Sequence, residues 1–339
     1  FGAEAAIANE FLRVVETGLV YRGSKPVMWS PVERTSLAEA EVEYQEKTSP
    51  TIWVKFPITH VFEAKTVVPG EKIQTTHDHR YVGASVVIWT TTPWTIPGNR
   101  AISFSELIEY GLYEIESVEQ GLAFEPWVKV GDRLVLATKL ADETLRVAKA
   151  ASWKLLEKFD PFGVVCAHPL SSLGYDFMVP LLEGNHVTDD AGTGFVHTAP
   201  GHGADDFNVW VAKFGQSGIP FTVDEEGRFL PASYAPDGHL VGGAPGFEGL
   251  EIIQLEGKNL GKDGPANKAV IEKLVEVGAL LARGQLKHSY PHSWRSKAPL
   301  IFRNTPQWFI SLDKPYEAGG GRTLRQVALD EIDRVDWRS

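Results

Sequence analysis

The densest chemistry in this chain lies in two short, widely separated segments. They are Thr90-Thr91-Thr92-Pro93-Trp94-Thr95 and His197-Thr198-Ala199-Pro200-Gly201-His202-Gly203-Ala204-Asp205-Asp206. The first ends a strand-forming run, Val86-Val87-Ile88-Trp89, with a row of hydroxyls. Alternate side chains of a strand face opposite ways, so Thr90 and Thr92 are expected on one face and Thr91 on the other. Pro93 breaks the ladder and exposes the strand end. Pro97-Gly98-Asn99 closes the segment as a turn, from which Asn99 can hydrogen-bond back. The second segment sets an imidazole on one side of a Pro/Gly turn and a carboxylate pair on the other. Folded together, the two make a small polar pocket with hydroxyl donors, an imidazole and a fixed negative charge. Such a pocket suits a substrate with an ammonium group beside a hydrolysable carbonyl.

Other chemistries fit less well. His197, His202, Asp205 and Asp206 fall close enough in sequence to invite a metal, but the turn between them is flexible and their spacing matches no zinc motif. A lone histidine such as His197 is more often a satisfied core or surface residue than a ligand. The cluster His77-Asp78-His79 reads as a solvated polar turn. There is no Gly-x-Ser-x-Gly elbow for a serine nucleophile, and Cys166 has no evident partner. No Gly-x-x-x-x-Gly-Lys loop suggests ATP binding. What remains is a site that binds and orients a substrate and lets water attack.

The elements that must position these residues are mostly short strands. Residues 51–56, 84–92, 112–117, 133–137, 176–181 and 194–198 are rich in Val, Ile, Trp and Thr and are bounded by Gly, Pro, Asn and Asp. Their number and spacing predict a barrel or sandwich. Helices are expected at 142–151, 205–214 and 265–277, the last with Pro265 in its first turn and Gly278 as its stop. An N-terminal helix is read from Ile7, Phe11, Leu12 and Val15, ending at Gly18. Strand and turn follow at 20–30, then an ambiguous polar connector at 36–43. A flexible loop around Gly319 to Gly321 precedes a short final helix. The fold class is mixed α/β: a β-barrel-like domain at 49–283 with flanking helices, carried on a two-segment connector formed by 1–48 and 284–339.

Composition limits the function classes. The formal net charge of −11 argues against a stand-alone nucleic-acid binder, which needs Lys and Arg to displace counterions. The charge is uneven: no Asp or Glu occurs across 277–312, which holds Arg283, Lys287, Arg295, Lys297 and Arg303. This is either a chance bias in a surface segment or a basic face for a polyanion. The single cysteine allows no intrachain disulfide and points to a reducing, cytoplasmic setting. No apolar run is long enough to span a membrane, and residues 1–5 have neither the basic end nor the apolar stretch of a signal peptide. A chain opening on Phe1 is expected to be part of something larger.

The same segments resemble the isoleucyl-tRNA synthetase family, in the editing insertion of its catalytic domain. Trp89-Thr90-Thr91-Thr92-Pro93-Trp94-Thr95-Ile96-Pro97-Gly98-Asn99-Arg100-Ala101-Ile102 is similar to the threonine-rich signature of that family. Gly192-Thr193-Gly194-Phe195-Val196-His197, continuing to Asp206, is similar to its second signature. Leu37-Ala38-Glu39-Ala40-Glu41-Val42-Glu43-Tyr44 and Ile301-Phe302-Arg303-Asn304-Thr305-Pro306-Gln307-Trp308-Phe309 extend the resemblance over nearly the whole chain. The valyl and leucyl relatives usually carry Thr-Arg-Pro and Pro-Ala-His at these places. Thr92-Pro93-Trp94 and Pro200-Gly201-His202 therefore point to the isoleucyl branch.

The resemblance implies hydrolytic proofreading of Val-tRNA(Ile), and of valyl-adenylate as a second substrate. It makes Thr90, Thr91, Thr92, His197 and Asp206 the catalytic group, with Asp206 binding the α-ammonium. Trp94, Thr95, Asn99, His202 and Asp205 become substrate-binding residues, and Arg283, Lys287, Arg295 and Lys297 tRNA-binding ones. The partners implied are the acceptor end of tRNA(Ile) and the rest of the synthetase in cis, with a monomer expected and no membrane. The His-x-Gly-His and Lys-Met-Ser-Lys-Ser motifs of class I synthetases are missing, so amino-acid activation, with its ATP and Mg, is not expected of this chain. Many relatives bind zinc through Cys-x-x-Cys pairs in both connector segments. The matching positions here are Ser30, Glu33, Ser293 and Ser296, so no zinc is expected and packing is expected to hold the connector. Two rival readings stay open: a non-catalytic tRNA-docking insert, and a metal-dependent hydrolase using the His/Asp cluster.

Overall fold

Runs of β-branched and aromatic residues become strands here because each can bury alternate side chains against a shared interior. The computed structural model describes residues 1–62 and 81–337, so the expectation for His77-Asp78-His79 lies outside the described residues. In chain order the strands are β1 (Val20–Ser30), β2 (Thr35–Ser36), β3 (Val42–Val61), β4 (Ser85–Thr90), β5 (Ala101–Phe104), β6 (Tyr110–Val118), β7 (Arg133–Ala137) and β8 (Ala150–Phe159). They continue as β9 (Val164–Ala167), β10 (Met178–Glu183), β11 (Val196–Thr198), β12 (Ser233–Tyr234), β13 (Leu240–Gly242), β14 (Leu280–Ser293) and β15 (Ile301–Ile310). The helices are α1 (Gly2–Glu16), α2 (Ala141–Val147), α3 (Ala204–Phe214), α4 (Pro265–Glu276) and α5 (Leu324–Ile332).

The main sheet has the order β14-β3-β9-β10-β5-β11-β4-β7-β6-β8, and β3 also pairs with β4. That extra pairing closes β3, β9, β10, β5, β11 and β4 into a ring, the barrel expected from the sequence. Ile52, Val54 and Phe56 of β3 stand opposite Thr90, Ile88 and Val86 of β4. The apolar members of this set join Ile102 and Phe104 of β5 in one buried cluster. Each such side chain contributes roughly 1.5–3 kcal/mol when fully buried. Val87, Leu134 and Leu136 point the other way and pack with Leu145 and Ala148 in a second cluster. A mixed α/β architecture results, with no described helix long and apolar enough to cross a membrane.

Several boundaries differ from the sequence reading. The helix expected at 142–151 stops at Val147, because Lys149 turns left-handed (φ 71°) and Ala150 starts β8 against β6. The strand expected at 194–198 begins only at Val196, since Gly192 and Gly194 both take positive φ. The polar connector at 36–43 resolves into the end of β2, a 3-10 turn at Glu39–Glu41 and the start of β3.

The chain divides into two compact units, Phe1–Lys25 with Thr305–Ser339, and Pro26–Asn304. In the first, the apolar stripe of α1 is uncovered, with no buried residue in the helix. Tyr21 stacks on Phe309 at 5.4 Å. Helix α5 starts with a capping box between Thr323 and Gln326. The second unit holds the ring. The limits expected at 48/49 and 283/284 fall inside β3 and β14, which pair continuously from Val42↔Ser293 to Arg283↔Ile52.

Candidate active site

Thr90 is the last residue of β4, and Thr92 precedes the 3-10 turn Pro93–Gly98. Proline at the first turn position ends the ladder and folds the chain back on itself. The Thr92 amide donates to Thr90 Oγ1 at 3.1 Å, and the hydroxyls of Thr90 and Thr92 are also 3.1 Å apart. Thr92 and Thr95 hydroxyls follow at 3.4 Å. Thr90 and Thr92 thus come together as their spacing predicts, while Thr91 and Thr92 line a small cavity with Trp94, Asp263 and Asn267.

Strand β11 is inserted between β4 and β5, parallel to the first and antiparallel to the second. This placement brings His197 between the threonine turn and Asn99. Asn99 Nδ2 donates to Ala101 O and to His197 Nδ1, both at 2.8 Å. The hydroxyl of Thr95 donates to Thr92 O at 2.8 Å and lies 2.9 Å from His197 Nε2. These partners assign the tautomer: Nδ1 accepts, and Nε2–H donates to Thr95. Burial, reinforced by nearby His202, pushes the His197 pKa down to about 3, so the ring is neutral at physiological pH. Both its nitrogens are occupied.

Asp206 sits in the first turn of α3 and accepts the Ala199 amide at 2.8 Å, two residues beyond His197. At Gly203 a Cβ would lie 2.8 Å from Asp206 Oδ2, so a larger residue there would press on the carboxylate. Burial, aided by the charge of Asp205 and opposed by the Ala199 amide, pushes the Asp206 carboxyl up to about 7. A cation beside it would restore its charge.

His202 and Asp205 have no hydrogen bond to the hydroxyl chain. His202 Nδ1 donates to Phe302 O at 2.9 Å, Nε2 accepts the Thr222 hydroxyl, and the ring meets Trp94 edge-on at 4.8 Å. It fastens the loop between β11 and α3 to the core. Asp205 is exposed. Among the described residues, no group of three or more His, Cys, Asp and Glu side chains is placed to hold a metal. Cys166 is buried, and burial pushes its thiol far above the usual range.

The cations expected to bind tRNA are mostly paired. Lys287 meets Glu46 at 2.6 Å, Lys297 meets Glu43 at 2.7 Å, and Arg295 is 3.8 Å from Glu41. Arg283 instead lies over the Trp127 ring at 5.6 Å. Ser30, Glu33, Ser293 and Ser296 do meet. The Ser293 hydroxyl lies 2.8 and 2.9 Å from the two Glu33 carboxylate oxygens, the Ser296 amide donates to Glu33 Oε1 at 2.9 Å, and the Glu33 amide donates to Ser30 Oγ at 3.2 Å. Burial works to raise the Glu33 carboxyl, but these bonds outweigh it and hold it below its ordinary value. Hydroxyls and one carboxylate, already bound to each other, do not fit zinc, which takes thiolates and imidazoles in such structural sites. Hydrogen bonds therefore join packing in holding the connector.

Sequence reasoning missed three supporting residues. Arg100 is buried, donates to Asn99 O at 2.6 Å and lies 4.2 Å above the Phe177 ring. Burial lowers its pKa only to about 10, so it stays charged. His168 Nε2 donates to Ile96 O at 3.0 Å, fixing the 3-10 turn from below. Asn267 of α4 accepts the Trp94 amide at 3.1 Å. Only Asn267 had a sequence signal, as a polar residue in the first turn of a Pro-started helix.

A family model described as tRNA synthetases class I (I, L, M and V) matches residues 1–339, and the chain belongs to that family. Its similar relatives narrow the comparison. The isoleucine–tRNA ligase of Caulobacter vibrioides is 55% identical over 334 residues, covering 98% of this chain and 32% of its own length. That of Agrobacterium fabrum is 51% identical over 349 residues, covering 99% and 32%. The chain spans about a third of the length of the curated relatives it matches. A structure titled "The crystal structure of GlLeuRS-CP1" aligns at 12% identity over 68% of this chain and 98% of its own, with a TM-score of 0.38, a likeness too slight to carry an argument.

Proposed function

We propose that this chain is a proofreading hydrolase that cuts the ester joining valine to the terminal adenosine of Val-tRNA(Ile), with valyl-adenylate as a second substrate. The observation that carries the reading is the neutral His197, held by Asn99 and Thr95 in a chain of hydroxyls that reaches Thr90. In the first turn of α3, bonded to the Ala199 amide two residues beyond His197, stands the half-buried Asp206 carboxylate, poised near neutrality.

Asp206 binds the α-ammonium through a charge-assisted hydrogen bond, which pulls its proton off. Thr90, Thr91 and Thr92 border the amino acid and the ester, and Thr92 with His197 limits side-chain size. Trp94 and Asn99 shape the pocket. Orientation and oxyanion stabilisation carry the rate, with no covalent intermediate. A second sieve is needed because one methylene discriminates by only about 1–3 kcal/mol, a figure established on isoleucyl enzymes themselves and not worked from this structure. The reading takes no metal, and it places the acceptor end of tRNA(Ile) and the remainder of a synthetase as partners.

Deacylation of Val-tRNA(Ile) and Ile-tRNA(Ile) by this chain, with and without EDTA, tests it. Selective loss of valine that resists EDTA is expected. Equal rates on both substrates, or abolition by EDTA, would overturn the reading.

A further inference from the structure

Three hollows share lining residues in turn, starting at the threonine turn. The first, of 10 Å³, includes Thr91, Thr92, Asp263 and Asn267 in its lining. The second, of 490 Å³, shares Asp263 and Asn267 with it and includes Arg283. The third, of 460 Å³, also includes Arg283 and is lined by Phe124, Trp127 and Val147. Arg283 on edge strand β14 stands opposite Ile52, which stands opposite Thr90. Two strand spacings, about 10 Å, therefore separate the backbone of Arg283 from that of Thr90.

The third hollow has a distinct chemistry. Phe124 is 53% exposed, and Trp127 is half-buried beneath the Arg283 guanidinium. Glu125 at the rim is taken up by Lys129, and Lys149 lies 3.7 Å from Glu119. Among the described residues no carboxylate pairs with Arg283, whereas Lys287, Arg295 and Lys297 have theirs. The exposed Phe124 ring, beside a guanidinium that lies on Trp127 and has no carboxylate partner among the described residues, matches a nucleotide, whose base stacks while its phosphate meets the cation. An apolar peptide would leave Arg283 unmatched, and an acidic one would leave the rings unmatched.

We propose that the Phe124–Trp127–Arg283 groove is a stacking subsite for an unpaired nucleotide of the polynucleotide whose end enters the threonine site. The identity of that polynucleotide rests on the proofreading reading; the groove's preference for a nucleotide does not.

Fluorescein-labelled hexa-adenylate titrated against the full chain, followed by anisotropy at several salt concentrations, tests the proposal. Saturable binding is expected. Phe124→Ser, at an exposed position, weakens it at least about fivefold. Arg283→Gln weakens it and lowers the slope of log affinity against log salt by about 0.7, the share of one phosphate on a single strand. Lys158→Gln, on β8 away from the groove and paired with Glu109, leaves binding unchanged. Undetectable binding by the unsubstituted chain, unchanged binding by Phe124→Ser and Arg283→Gln, or equal affinity for an abasic hexamer would overturn the subsite. Valyl-ester hydrolysis by the same proteins separates the two readings. Normal hydrolysis with unaltered binding removes the subsite alone, and sensitive binding without hydrolysis removes the proofreading reading alone.

Discussion

Replacing Asp206 with asparagine should make the protein more stable and less active at once. In the folded chain the carboxyl is pushed from 3.8 to about 7, chiefly by burial. A rise of about 3 pK units corresponds to at most about 4 kcal/mol of folding free energy. The sign follows from which form the fold prefers. Folding favours the protonated acid, so stability is undiminished below pH 3.8 and is lost progressively as pH rises through about 7. An amide keeps an acceptor for the Ala199 N–H and has no charge to desolvate. Urea unfolding of both proteins between pH 4 and 9 reads the difference: the curves meet at low pH, and Asp206→Asn gains up to about 4 kcal/mol above pH 7. Activity moves the opposite way. In the unsubstituted chain, kcat/KM for a valyl ester falls roughly tenfold per unit below pH 7, as the carboxylate needed for the ammonium disappears. The variant hydrolyses little at any pH. A stability difference that ignores pH would refute the raised pKa. A variant that still hydrolyses at the normal rate would refute the role in binding the ammonium.

Three further outcomes are expected. Asn99→Ala leaves Ala101 O and His197 Nδ1 without their buried donor. At about 1–3 kcal/mol each, the loss is roughly 2–6 kcal/mol in urea unfolding, and valyl-ester hydrolysis falls with it. Glu33→Ala frees the buried Ser293 hydroxyl and the Ser296 amide and costs about 1–3 kcal/mol, seen as a lower urea midpoint. Because the Glu33 pKa is lowered, that difference is present above the usual carboxylate range and fades as pH falls through it. Leu274→Ala, on the buried face of α4, costs about 2–5 kcal/mol by the same assay and slackens the Asn267 contact with Trp94, so hydrolysis falls while EDTA still has no effect.

Local pattern made parts of this molecule legible. The β-branched runs became staves of the ring, and the alternation rule put the hydroxyls of Thr90 and Thr92 together. A barrel was legible, but not which strands close it, because closure depends on distant partners: residues 52–57 of β3 pair with β4 and residues 58–61 with β9. The outer half of β3 is polar and contains Pro50; it is a strand because β14 pairs with it across the whole length. The same long-range pairing hid the neutralisation of the basic segment. Its acids, Glu41, Glu43 and Glu46, lie far away in sequence on and just before β3. Arg100 carries no periodic signal, and only the fold reveals a buried cation holding the Asn99 carbonyl. The resemblance implied substrate-binding roles for His202 and Asp205, and no local pattern told that His202 turns toward the core and Asp205 to solvent.

Closure of the ring also sets a timetable for the nascent protein. The threonines leave the ribosome on β4 and Asn99 soon afterwards, while His197 arrives only with β11, after β6, β7, β8, β9 and β10 have been made. Until β11 slots between β4 and β5, the amide of Asn99 and the hydroxyl of Thr95 have no imidazole between them. Seating of the imidazole against the hydroxyl chain and shutting of the cylinder are thus a single event. On the proposed proofreading reading, a partly synthesised chain would carry no early, unselective activity, since His197 joins Asn99 and Thr95 only once the barrel exists to limit what can enter.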